Sequence, residues 1–178
     1  MLDSGHGGQV SATDGDEVDG MDEDIYPSDF NISGCIIDND IHDILTRRLP
    51  KECRLTCVFD SCHSESVLDL PYTLTCSRSR PGHPMFHSEV SKEAWPAKAV
   101  EGDVICCSAC TDEGISRETY GAAGASGLFT SALIKLIRSH PNYSWMDLIC
   151  SARKELESSG QEPQLSVSHE CDINCTIA

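Results

Sequence analysis

Two short segments carry the residues best suited to covalent chemistry. The first is Asp3-Ser4-Gly5-His6-Gly7-Gly8 and the second is Asp60-Ser61-Cys62-His63-Ser64. A histidine between glycines is sterically open, so its ring can face a cleft while the glycine amides approach a bound group closely. A cysteine attacks as the thiolate and needs an imidazole nearby, as base or ion-pair partner. His6 precedes Cys62 by 56 positions. His63 is a rival base, but neighbours in an extended or turning segment tend to point apart, which favours His6. Taken alone, Gly-His-Gly is a weak signal, and one cysteine among 11 is weaker. A Cys–His dyad is one reading at this point, and packing is another.

The surrounding pattern predicts elements able to hold such a pair. Arg54 to Asp60 is nearly continuous apolar sequence and suits a strand buried on both faces, with Cys62 just past its carboxyl end. Asp103 to Ala109 reads as a second buried strand. Cys35 to Ile37 is a short extended piece. Asp38 can cap a helix over about 39–49 with Ile41, Ile44, Leu45 and Leu49 on one face, stopped by Pro50. Gly121 to Gly127 reads as a linker. A helix over about 128–139 follows, with Leu128, Phe129, Ala132, Leu133, Leu136 and Ile137 inward. Ser144-x-x-Asp147 resembles a capping box for a last helix, which Gly160 ends, and Gln164 to Ser168 suits a final strand. Strands alternating with helices point to an α/β sheet, whose sites form outside the carboxyl ends of the strands. The 178 residues make one domain, with an acidic loop over 9–31 and a surface loop over 77–98.

The net charge is −16, and no Lys or Arg occurs before Arg47. That disfavours a nucleic-acid partner, which needs a basic face. It suits a site for cations, either metal ions or basic substrate side chains, and equally a solvated acidic loop. No signal peptide or membrane span is visible, so a cytoplasmic, reducing setting is the default. Cys57, Cys106, Cys107 and Cys150 lie in apolar runs and read as small hydrophobes. Cys107 and Cys110 form an isolated CxxC with no second pair and no His pair at ligand spacing; a metal or redox role is one reading, and core packing is the better reading for Cys106 and Cys107.

A histidine followed by a cysteine roughly 50 residues later is the caspase order, and longer stretches make the likeness specific. SGHGG at 4–8, DGDEVDGMDE at 14–23, GCIIDNDIHDIL at 34–45, RLTCVFDSCHS at 54–64 and LDLPY at 68–72 resemble consecutive type I metacaspase segments. SALIKLIRSHPNYSWMDLI at 131–149 and QEPQLS at 161–166 are similar to the carboxyl-terminal half of that family.

The resemblance implies a three-layer α/β/α caspase-like sandwich with a mostly parallel sheet. It also implies a chain that starts within the fold and is truncated at its N-terminus. It implies a cysteine endopeptidase with His6 and Cys62 as dyad and the N–H groups of Gly7 and Cys62 as oxyanion hole. Ser4 and Asp60 match substrate-pocket positions that favour Arg or Lys through charge-assisted hydrogen bonds. The other reading of Asp60 is a strand-end carboxylate that accepts backbone N–H bonds. Calcium is the implied activator, with Asp22, Asp38, Asn39 and Asp69 as ligands. Asn39 stands where the family usually has Asp, which removes one charge and predicts weaker calcium binding. The acidic run is not an EF-hand, since no Gly stands at its sixth position. Self-processing in the surface loop would fall at Lys92 or Lys98. Partners are then protein or peptide substrates, with no membrane and no nucleic acid, and the chain is expected to be a monomer. The alternative function is a catalytically inactive regulatory or interaction module.

Overall fold

A computed structural model of the chain describes residues 1–76, 84–88, 90–110, 118–121 and 124–169. The chain opens with β1 (Leu2–Ser4) and β2 (His6–Ser11), then β3 (Met21–Tyr26), a single helical turn α1 (Phe30–Ser33) and β4 (Ile36–Ile37). Next come α2 (Asp38–Ile41), which runs into a π-helical turn over His42–Thr46, and β5 (Arg54–Asp60). Then follow β6 (Tyr72–Cys76), β7 (Pro84–His87), β8 (Asp103–Ser108) and the pair β9 (Glu118–Gly121) and β10 (Gly124–Gly127). Two amphipathic helices, α3 (Leu128–Ser139) and α4 (Trp145–Leu156), precede β11 (Gln164–Val167).

The main sheet has the order β1-β5-β8-β11-β6-β7. Its first three strands are parallel, as expected for 54–60 and 103–109. β11 joins antiparallel to both β8 and β6, and β7 pairs antiparallel to β6. One face packs Ile105, Cys107, Leu165 and Val167 against Phe129, Leu133, Leu136, Leu148 and Ile149 of α3 and α4. The other face packs Cys57, Phe59, Val104 and Cys106 with Ile41, Val67, Leu68 and Leu70. Helices on both faces of a mixed sheet give the expected three layers. Burying one Phe such as Phe59 contributes about 1.5–3 kcal/mol. Cys106 and Cys107 are core residues, and burial pushes the Cys107 thiol up to about 12. No described helix is long and apolar enough to cross a membrane.

Five expectations are corrected. The acidic stretch 9–31 is not one loop: β2 and β3 pair antiparallel and β4 adds to β3. Asp22, Glu23 and Asp24 are buried on β3, so acids stand where apolar residues would have revealed a strand. The helix after Asp38 is not regular, and Asp38 is its first residue rather than its cap. A π turn rotates the following side chains out of α register, which leaves Ile44 69% exposed while Ile41 is buried. Residues 121 and 124–127 are not a linker but belong to the antiparallel β9–β10 pair. Within 77–98, residues 77–83 and 89 lie outside the described residues, 84–87 form β7, and Val90 and Lys98 are buried. In α3, Ile137 is 43% exposed and the rest of the expected inward set is buried or half-buried.

The cap on α4 is as expected. The Ser144 hydroxyl accepts the Asp147 N–H, and the Asp147 carboxylate accepts the Ser144 N–H. Ser144→Ala is expected to destabilise the chain by about 1 kcal/mol, read as a lower urea midpoint with an unchanged slope.

Candidate functional site: two strand ends and an acidic cluster

β1 lies beside β5 with Leu2, Asp3 and Ser4 opposite Val58, Phe59 and Asp60. The two strands run the same way, so His6 and Cys62 each follow two residues past a matched pair at the same end of the sheet. The Met1 ammonium donates to the Thr56 carbonyl at 2.8 Å, and the Val58 N–H donates to the Met1 carbonyl at 3.0 Å. These bonds fix the register on which that alignment depends.

The segments also touch. A Cβ on Gly7 would sit 2.4 Å from the Cys62 carbonyl oxygen and 3.0 Å from that of Asp24. Only glycine lets the His6-Gly7 chain pass this close to the cysteine turn. His6 is exposed, and Cys62 is half-buried and forms no disulfide. The chain reverses immediately after Cys62, where His63 takes φ 50°, a left-handed conformation that costs a non-glycine residue about 1–2 kcal/mol. Cys110, the second cysteine of the CxxC, is buried and its thiol donates to the Ser61 carbonyl at 3.3 Å. It braces the turn that presents Cys62.

Asp60 is buried, and its Oδ2 accepts the Thr130 N–H at 2.8 Å at the start of α3. A carboxylate there also meets the positive end of the helix dipole. Gly127 leaves room for it, since a Cβ at that position would lie 1.8 Å from Oδ2. This bond is what the strand-end reading of Asp60 expects. Ser4 pairs with Asp60 in the register. Asp3, not singled out from sequence, has a buried carboxylate oxygen without a partner, and burial followed by the Asp60 charge raises its pKa.

The expected calcium ligands converge on a second locus. Asp22, Asp38 and Asp69 are buried and Asn39 is half-buried. Asp38 already serves the backbone, accepting Glu23 N–H at 2.5 Å and Asn39 N–H at 2.6 Å. Two further acids, Asp16 and Glu17, join the cluster. Oxygens of Asp16, Glu17 and Asp69 lie within 4.8 Å of one another, as do those of Asp14, Asp16 and Asp22. Asp69 holds its place with φ 47°. Nothing in a run of loop acids distinguished Asp16 and Glu17 from their neighbours. Lys98, a processing candidate in an expected surface loop, is instead 6% exposed. Its ammonium binds Asp69 Oδ2 at 2.5 Å, Asp16 Oδ2 at 2.6 Å and the Asn39 side-chain oxygen. Burial works against that ammonium, but Asp69 and Asp16 outweigh it and raise its pKa. Lys92, the other candidate, is exposed.

Residues 1–71 match the family described as metacaspase, peptidase C14 domain. Metacaspase-2 of Trypanosoma brucei brucei is 38% identical over 184 residues, covering 98% of this chain and 52% of the relative. Metacaspase-1 of Cryptococcus neoformans var. neoformans serotype D is 36% identical over 208 residues, covering 96% of this chain and 46% of the relative. The chain belongs to the metacaspase family. It spans about half the length of the curated metacaspases it matches. The crystal structure of a Geobacter sulfurreducens protein shares the fold, with TM-score 0.59 and 21% identity over 96% of this chain and 66% of that one.

One prediction follows from the crowding of acids. Burial, then the Asp69 charge, pushes Glu17 up to about 11 and Asp38 up to about 8, above their ordinary 4.5 and 3.8. Raised folded-state values mean the folded chain holds more protons than the unfolded one above those ordinary values. The associated stability is therefore full below about pH 4 and is lost as pH rises through the folded values. With divalent cations chelated, the urea midpoint is expected to fall between about pH 5 and about pH 8, and Glu17→Gln to flatten the fall.

Proposed function

We propose that this metacaspase chain is the core of a cysteine endopeptidase that uses Cys62 and His6. The observation that carries the reading is the pairing of β1 with β5, which brings both residues to one end of the sheet with Gly7 against Cys62. The Cys62 thiolate attacks the scissile carbonyl carbon. The carbonyl π electrons move to oxygen, and the N–H groups of Gly7 and Cys62 stabilise the oxyanion. His6 takes the thiol proton and gives it to the leaving amine as the C–N bond breaks. Water then attacks the thioester, returning the thiol and releasing the acid.

Cleavage after Arg or Lys is supported by carboxyl groups near the strand ends, where Asp60 and the partnerless Asp3 oxygen favour a cation. Calcium is the proposed activator. The donors are all oxygen, as calcium prefers, and Asp69 Oδ1, Asp22 Oδ1 and Glu17 Oε1 are buried without hydrogen-bond partners. Asp22, Asp38, Asn39 and Asp69 would hold it, and its charge would offset the buried carboxylates.

A second reading is the catalytically inactive regulatory or interaction module. Fluorogenic peptides ending in Arg, Lys or Asp separate the two readings, assayed with and without calcium. Turnover after Arg or Lys is expected, abolished in Cys62→Ala and lowered about 10²–10⁴-fold in His6→Ala. A folded wild-type chain that turns over none of the peptides would sink the peptidase reading and favour the module.

A further inference from the structure

Among the described residues, Lys98 is the one Lys or Arg that is buried. Its ammonium binds Asp16 and Asp69 and its charge reaches Asp22, and the buried acids Glu17, Glu23 and Asp38 crowd the same region. One ammonium cannot balance so many carboxylates, and oxygens of Asp69, Asp22 and Glu17 remain without a hydrogen-bond partner. A cavity of about 510 Å³, lined by Asp14, Asp16, Asn39, His42 and Lys98, opens onto the place the ammonium occupies.

A divalent cation seated among Asp16, Glu17 and Asp69 would share two carboxylates, those of Asp16 and Asp69, with the Lys98 ammonium. Calcium takes six to eight oxygen ligands, so it would draw on both oxygens of such groups. Two cations at the same pair of carboxylates repel. The lysine stem is flexible and its ammonium is well hydrated outside, so leaving is feasible.

Lys98 also ends a segment of linked turns. Ala94 and Trp95 N–H groups donate to the Ser91 carbonyl, and the Lys98 N–H donates to that of Ala94 at 3.1 Å. The segment's other fastenings to the cluster are the Ser91 N–H on the Asp16 carbonyl at 2.6 Å and the Ser91 hydroxyl on the Gly15 carbonyl at 3.2 Å. Two of the three Lys98 partners, Asp16 and Asp69, belong to the acid group that a metal would draw together. Trp95 stacks edge-on against Tyr72 and is 36% exposed, whereas the other tryptophan, Trp145, is buried in the core.

We propose that Lys98 is a resident cation of the acidic cluster, and that a divalent cation binds Asp16, Glu17 and Asp69 only by displacing its ammonium and so releasing the 91–98 segment. This rests on the calcium reading above and adds Asp16 and Glu17 to its ligands. Lys98 then sets the cation threshold of the site, and the segment it pins changes position when the threshold is crossed.

The test uses the Cys62→Ala chain, so that self-cleavage does not intervene. Calcium binding is measured by calorimetry, and lysine accessibility by acetylation with mass spectrometry. Calcium is expected to raise Lys98 acetylation about tenfold while leaving Lys92 unchanged, and to shift Trp95 emission. Lys98→Met should bind calcium about tenfold more tightly, and Glu17→Gln about tenfold more weakly. Calcium bound with Lys98 still protected would overturn the displacement and leave the calcium reading standing. No calcium bound at millimolar concentration would overturn both. The labelling arm needs no substitution at Lys98, so it decides the matter even if Lys98→Met does not fold.

Discussion

The pairing of β1 with β5 is the constraint on which the chemistry depends. Leu2, Asp3 and Ser4 run parallel to Val58, Phe59 and Asp60, and a parallel pair carries both chains off the sheet at the same end. A slip of one residue would turn each β1 side chain to the other face and move His6 along the sheet relative to Cys62. The rest of the site fits around this register. Gly7 admits the close approach, Cys110 braces the turn at Ser61, and Asp60 fastens the same strand end to the start of α3. Two hydrogen bonds and one close approach surround the Cys62 turn, in which His63 takes a left-handed backbone conformation.

The second locus follows from electrostatics. Carboxylates are buried there at a density that one ammonium cannot balance. The structure responds in two ways that need no metal. Burial and neighbouring charge raise the pKa values of Glu17 and Asp38, and backbone amides are recruited to Asp38. Both remedies are local and each binds a different strand or loop into the cluster, so the electrostatic problem becomes a means of joining β3, α2 and the 66–69 turn.

The legible parts of the fold were those where side-chain burial follows polarity. β5 and β8 are runs of apolar residues, and α4 combines a capping box with one apolar face, so each was readable residue by residue. β3 hid its strand because three of its residues are buried acids, which inverts the usual signal. The π turn hid itself because Ile44 keeps the helical spacing in the sequence while the backbone does not. At the site, His6 and Cys62 stood out by type and neighbourhood. Lys98 did not, because its partners Asp69 and Asn39 lie 29 and 59 positions away and only folding brings them together.

His42 gives the acidic cluster an uneven mechanical character. Its ring is buried, and Nδ1 donates to the Leu68 carbonyl at 2.8 Å, one residue before Asp69. That bond clamps the helix bearing Asp38 and Asn39 to the turn bearing Asp69, so these three groups shift together or not at all. Asp14, Asp16, Glu17 and Lys98 sit outside regular strands and helices. The cluster is a vice with one fixed jaw and one sliding jaw. The proposed exchange of cations would therefore be taken up by the loops rather than by the helix and the Asp69 turn.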